Sequence, residues 1–477
     1  MRKNRLAEIP DVMRLEKLTK LNLNSNAIKG TLAPAGLPPS LEHLNVSGNQ
    51  LTSVDGALAS TLPRLSSLDL HANHLTPAGI EALSAALCGW RKLEKLDLSS
   101  NRLTALPTEL LEAAHVVELK LSLNPLGVCP DLRRMRGLLH LAVARCGLAC
   151  LPDDLLTSLP KLATLDVARN GISVLPPPAK GADLTRLYAA HNCLGHVGAD
   201  LMGLGLVELD LSHNVLTAWP DGLGSGGILE RIILSFNRIR ELPAAASKVA
   251  SSAMLRELLI DHNDICEVAS SKVTVECHAF SLAHNPIGSA GSGAFRKLAA
   301  QTVHLSSCAL TCLPTISARC EALHAVDNRL GPTIEWASLS ACTKSLTILN
   351  LSHNDLVSLP EQIGQCPRLL ELLVGYNRLT SLPPSCAKLT SLVVLVLSGN
   401  ALTSVPEQVF SMPSLQWLWL SNNEIRTLPS LEGLTKLQSL LVNDNALTEI
   451  DTSLMCARAR HASALVLARM HGCCTRR

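Results

Sequence analysis

Five histidines stand immediately before an asparagine: His191, His213, His262, His284 and His353. If their segments lie side by side, His191 meets His213 and His262 meets His284, a spacing at which two imidazoles could share a metal ion. Ser212-His213-Asn214 and Ser352-His353-Asn354 are also ordinary turn sequences in which a solvated histidine needs no ligand, so no metal is assigned. Cys146 with Cys150, and Cys308 with Cys312, lack the C-x-x-C pairing of a zinc site. Gly222-Leu223-Gly224-Ser225-Gly226-Gly227 matches G-x-G-x-x-G, but a dinucleotide site needs that string between the strand and helix of a Rossmann unit. Here it follows Trp219-Pro220 in a connecting segment. There is no G-x-x-x-x-G-K-[ST], H-E-x-x-H or G-x-S-x-G, so neither a catalytic residue nor a cofactor is expected. Cys473-Cys474 beside Arg476-Arg477 could carry an acyl chain against anionic lipid, but the ending is no C-a-a-X box. An unstructured end is the simpler expectation.

What would position such residues is a repeat. Leu93-x-x-Leu96-x-Leu98-x-x-Asn101-x-Leu103 returns as Leu206 to Leu216 and as Leu346 to Leu356, with further copies starting at Leu369, Leu392, Leu415 and Leu437. Walking the register gives 19 copies between Leu18 and Leu447, mostly 22 to 24 residues apart, with Asn at the ninth position in 17 and Cys in two, Cys146 and Cys308. Alternation in x-Leu-x-Leu-x makes a short strand with one buried face. Stacked copies then form one long parallel sheet with a continuous leucine core, about 90 Å along its inner face at ~4.8 Å per strand. The Asn amide can satisfy backbone groups where the chain leaves each strand.

The pattern resembles the leucine-rich-repeat superfamily over about nine-tenths of the chain. The resemblance implies an α/β solenoid, a horseshoe with its parallel sheet on the concave face. In eleven copies Pro falls six residues after the Asn or Cys, as in Leu106-Pro107 and Leu359-Pro360, which predicts short 3₁₀ or extended segments on the convex face. Those copies, above all over residues 346–430, resemble intracellular Ras-group repeats and cytosolic scaffolds. Leu75 to Leu87 resembles the helical half of a ribonuclease-inhibitor-like repeat, and the last copy resembles the short repeats of a phosphatase-1 regulator. Residues 1–17 read as a partial first repeat without a recognisable N-terminal cap, residues 18–447 as the solenoid, and residues 448–477 as a basic C-terminal cap or tail. Copies starting at Cys277, Ala300 and Cys320 lack a large apolar first residue, so residues 264–342 are the expected weak stretch.

Composition narrows the function. Lys+Arg number 42 against 40 Asp+Glu, a net charge of +2, which gives no basic footprint for nucleic acid. Hydrophobic residues make up 47% with only 2% aromatic, and mean hydropathy is +0.24. The longest purely apolar run, Leu392–Leu397, falls far short of the ~18 residues of a spanning helix. The N-terminus has no apolar signal stretch, and 16 scattered cysteines read as reduced core or loop residues, which together predict a cytoplasmic protein.

The exposed strand positions carry the remaining signal. Between the strand leucines the first nine copies read Asn22, Asn45, Asp69, Asp97, Lys120, Ala142, Asp166, Tyr188 and Asp210, polar with an acidic bias. The last four read Leu373, Val396, Trp419 and Leu441, with Val394 and Trp417 two residues earlier and Tyr376 extending the patch. These seven residues are the expected protein-binding site of a non-enzymatic interaction scaffold. A regulator of a small GTPase or phosphatase, or the repeat region of a larger enzyme, are the alternatives.

Overall fold

The computed structural model describes residues 3–87, 90–223, 228–247, 255–269, 273–288, 295–431, 433–448 and 464–466. It divides into two units, Met1–Asn237 and Arg238–Arg477. In the first, three-residue strands from Lys20–Asn22 to Arg231–Ile233 pair in parallel, each with the strand of the next repeat. The second repeats this from Glu257–Leu259 to Ser439–Leu441, and Ala464–Val466 adds a further parallel strand in register with the last. The parallel-sheet solenoid expected from the leucine spacing is therefore present in both units.

Leucines at matched positions face one way and pack in columns: Leu68, Leu96 and Leu119 are in register, as are Leu372, Leu395 and Leu418. All six are at most 1% exposed. Burying each such side chain contributes roughly 1.5–3 kcal/mol, which is why the pattern tolerates so little variation.

The second column is asparagine. Asn124 donates its amide to Leu98 O at 2.9 Å and Leu121 O at 2.8 Å, and its Oδ1 accepts from Leu103 N–H at 3.0 Å. One side chain thus closes its own turn and ties it to the preceding repeat. The residue before each Asn is left-handed, as at His213 (φ 53°) and Tyr376 (φ 54°). That geometry throws its side chain outward in a row parallel to the amide column.

Two rungs solve the same problem without the amide. The Cys146 thiol donates to Leu121 O at 3.4 Å and the Cys308 thiol to Leu282 O at 3.2 Å. A thiol offers little to the N–H that an Asn Oδ1 would accept from the preceding repeat. Both preceding repeats carry Asn-Pro-x-Gly there, Asn124 to Gly127 and Asn285 to Gly288. Leu126 N–H turns to Asn124 O, Ile287 N–H turns to Asn285 O, and the glycines, at φ +69° and +60°, donate to Cys146 O and Cys308 O. The cysteine and the glycine turn one repeat earlier form a matched pair.

Connecting segments follow the proline signal. Glu361–Gln365, Pro384–Lys388 and Glu407–Ser411 are 3₁₀ turns, each preceded by an extended proline. Pro77–Leu87 is an eleven-residue α-helix, where the sequence reads as a helical repeat. No helix among the described residues is long and apolar enough to cross a membrane.

In the stretch with small first residues the strands lengthen. Val273–Ser281 and Phe295–His304 pair in parallel, with Cys277 opposite Ala300. Cys277, Ala300 and Cys320 are all buried, flanked by buried Val275 and Leu298, and Phe280 meets Phe295 edge-on with ring centroids 6.0 Å apart.

Candidate functional site

Strand register sets the geometry of the C-terminal face. Glu371, Val394, Trp417 and Ser439 lie in one row, and Leu373, Val396, Trp419 and Leu441 in the next. Alternation along the strand sends these side chains away from the leucine core. Trp417 is 43% exposed, while Leu373, Val394, Val396, Trp419 and Leu441 are half-buried. Neighbouring strands lie about 4.8 Å apart, so the six make one apolar surface interrupted in its rows by Glu371 and Ser439.

Tyr376 joins that surface from the side. It stands in the left-handed row, stacked on His353 with centroids 4.4 Å apart, and its ring lies against Gly399, where a Cβ would come within 2.6 Å of it. Gly399 must therefore be glycine for two reasons, its φ of +70° and the tyrosine above it. Between Tyr376 and the strand face sits Gly375, and a Cβ there would meet Val396 Cγ1 at 3.3 Å. The absent side chain lets Val396 extend the patch toward Tyr376. All seven residues singled out in the sequence thus lie on one side of neighbouring repeats.

Two more belong with them. Leu370 is 42% exposed and Val393 half-buried, adjacent in the row that leads into the strands, where Val393 N–H donates to Leu370 O at 2.8 Å. The same position is polar in repeats such as those of Glu42, Thr347 and Gln416 and apolar in others, at Val117, Leu139 and Val207. Reading this row together with the two strand rows would have found them.

In the first unit several of the same positions hold polar or charged groups, and some of these pair with one another. Asn45 Nδ2 donates to Asp69 Oδ2 at 2.6 Å. Glu118 takes Lys95 at 3.1 Å and Lys120 at 2.7 Å. Burial alone would raise the Glu118 pKa, but the bonds from the two lysines outweigh it and hold the group below the usual carboxylate range. Asp69 is pushed the other way, chiefly by burial and further by Asp97. Tyr188 Oη donates to Glu208 at 2.6 Å, and burial together with that carboxylate raises the phenol to about 12.

The histidines do come together: His191 stacks on His213 at 3.9 Å, His262 on His284 at 4.0 Å, and His304 on His324 at 4.6 Å. Burial lowers the proton affinity of His304 and His324. Among the described residues no group of three or more His, Cys, Asp or Glu is placed to hold a metal ion. The twelve described cysteines are free thiols, and burial lifts Cys277, Cys320, Cys366 and Cys386 to about 12. Gly224–Gly227 of the glycine string and Cys473-Cys474 of the tail lie outside the described residues, as does most of the tail itself.

Comparison with known proteins agrees with this architecture. Models of the leucine-rich repeat match residues 344–402 and 390–447, and related models match residues 39–85 and 92–113. Human podocan-like protein 1 is 28% identical over 307 residues, 62% of this chain and 58% of its own length. The mouse protein is 29% identical over 406 residues, covering 75% and 69%. Pig fibromodulin is 38% identical over 107 residues, 22% of this chain and 70% of that sequence. The chain thus spans little more than half of the human relative. Among solved structures, the Arabidopsis receptor kinase HAESA, in complex with a peptide hormone and co-receptor, superposes with TM-score 0.60 at 23% identity, covering 91% of this chain and 75% of that one. YopM from Yersinia enterocolitica gives 0.57 at 22%, covering 88% and 86%. Both likenesses concern the fold.

The relatives correct one expectation. Podocan-like protein 1, podocan and fibromodulin are secreted extracellular-matrix proteins, which points away from the cytoplasmic placement. The physical reason is that singly placed cysteines, some buried in the core like Cys320 and others exposed like Cys150, carry no information about compartment. With stacked parallel strands, asparagine rungs and matching family models in agreement, the chain is a member of the leucine-rich-repeat superfamily.

Proposed function

We propose that the chain is a non-enzymatic binding protein whose open strand face between Glu371 and Leu441 docks an apolar segment of a protein partner. The observation that carries this reading is the continuous apolar surface around Trp417, where first-unit positions such as Asn45, Asp69, Lys95, Glu118 and Lys120 are polar and paired. Solvated sheets seldom expose such surface without a partner, and tryptophan is among the residues that most often dominate binding. The 3₁₀ segments of residues 361–411 favour a Ras-group-like repeat geometry in this part of the chain, with no bearing on compartment.

Site-specific photo-crosslinking tests the reading. Benzoylphenylalanine at position 417 should trap a discrete protein from the native source, and the same group at position 97 should not. Equal trapping at both positions, or trapping at 97 alone, would place the partner elsewhere.

A further inference from the structure

The row of left-handed residues in the first unit carries a second surface. Leu123, Arg145, Arg169, His191, His213 and Phe236 are successive rungs of it, each at positive φ. Backbone bonds hold the rungs in register: Leu123 N–H donates to Ala144 O, Arg145 to Ala168 O, Arg169 to Ala190 O, His191 to Ser212 O and His213 to Ser235 O, all at 2.7–2.9 Å. His191, His213 and Phe236 stack face to face, 3.9 and 4.2 Å apart and within 8° of parallel. Stacking covers the ring faces and leaves their edges outward, so the row presents ring edges and guanidinium groups.

The two arginines are exposed, and among the described residues neither forms an ion pair. Their neighbours on the strand side are small: Ala144, Ala168 and Ala190. Burial, His213 and Arg169 together lower the proton affinity of His191, against a smaller opposing effect of Asp210. The first and last of these six rungs are exposed apolar groups, Leu123 and Phe236, each 43% exposed, and positive φ recurs at the same position of the repeats before and after them, at Ser100 and His262. Leu123 and Arg145 also line a shallow depression with Pro125, Gly127 and Gly147.

We infer that this row binds an extended acidic peptide segment, whose carboxylates pair with Arg145 and Arg169 while apolar residues on either side contact Leu123 and Phe236. Charge complementarity selects the occupant. Two unpaired cations suit one or two carboxylates, and guanidinium takes a carboxylate in a bidentate fork. A densely charged polymer would need many more cations than these two. Length fits as well: six rungs at ~4.8 Å span about 24 Å, and eight extended residues span about 26 Å.

Fluorescence anisotropy with a labelled eight-residue peptide of alternating Glu and Leu, and its Gln–Leu counterpart, tests this on the full chain. The Glu peptide should bind at least about tenfold more tightly than the Gln peptide, and added salt should erode the difference. The double variant Arg145→Gln/Arg169→Gln should abolish the preference, and Arg169→Gln alone should reduce it severalfold and serve if the double variant misfolds. Trp417→Ala should leave it intact, which separates this surface from the C-terminal one. No preference in the wild type, or a preference that survives both arginine variants, overturns the inference. So does a single-stranded oligonucleotide or sulfated polysaccharide that binds more tightly than the Glu peptide.

Discussion

Where the early strands set Asp69 and Asp97 on the open face of the sheet, the late strands set Val396 and Trp419. Beneath both faces the leucine columns are equally buried and the asparagine bonds nearly identical: Asn124 and Asn377 each bind their own turn and the preceding repeat at 2.8–3.0 Å. The two faces nevertheless differ in kind. The early one consumes its own polarity through Asn45–Asp69 and the Lys95–Glu118–Lys120 cluster. The late one leaves apolar area unspent. In a repeat protein the rungs that hold the fold and the positions that meet a partner are separate sets, so one can change while the other stays fixed.

The largest effect should come from breaking a rung, which ought to damage either region equally. Asn124→Cys would leave Leu103 N–H without its acceptor, because the preceding turn is Asn101-Arg102-Leu103-Thr104 and lacks the Pro and Gly found before Cys146. A buried amide group left unpaired costs about 1–3 kcal/mol, so chemical denaturation should show a loss of about 3 kcal/mol once the weakened carbonyl contacts are included. If Asn124→Cys is as stable as the wild type, the matched-pair account of Cys146 and Cys308 is wrong.

A smaller effect should separate the faces. Leu370→Ser and Val393→Ser at the edge of the late face should each weaken partner binding by about 1 kcal/mol, or roughly fivefold, with melting temperatures nearly unchanged. Glu42→Ser or Glu94→Ser on the early face should do nothing to binding. Smaller still is the difference in local opening. Hydrogen exchange should be faster at described residues of 264–342 than of 346–447, because side chains at the first repeat position are small there. Uniform protection would mean that Val275, Leu298 and Phe280 replace the missing leucines fully.

The smallest effect is electrostatic. Because burial raises the Asp69 pKa, the folded chain holds that proton more readily than the unfolded one. Its contribution to stability therefore grows as pH falls through the raised value and is lost as pH rises above it. Asp69→Asn should slightly raise the melting temperature at pH 7 and lose that advantage toward pH 4. A uniform shift at all pH values would assign the effect to the Asn45 bond instead.

The fold was legible because Leu-x-x-Leu-x-Leu and Asn recur at fixed spacing and each position has one physical task. The apolar face was legible in part, since Trp417, Trp419 and their strand neighbours follow from alternation alone. Leu370 and Val393 escaped because they precede the strands, where alternation does not yet hold. The long strands Val273–Ser281 and Phe295–His304 escaped because Cys277 and Ala300 mask the leucine register, although Val273, Val275 and Cys277 alternate and are buried. The pairing of His191 with His213 follows from the repeat register, whereas the stacking of Phe236 on them depends on the left-handed backbone at every rung, which the leucine pattern does not encode.

The central claim is that the late face, and not the early one, engages the partner. The most direct measurement is the affinity of the protein trapped through position 417 for three forms of the chain: wild type, Trp417→Ala and Asp97→Ala. Trp417 is exposed and outside the core, so its replacement should leave the melting temperature within a degree or two while costing about 2 kcal/mol of binding, roughly 30-fold. Asp97→Ala should change the affinity less than about twofold. An unchanged affinity for Trp417→Ala together with a large loss for Asp97→Ala would contradict the account.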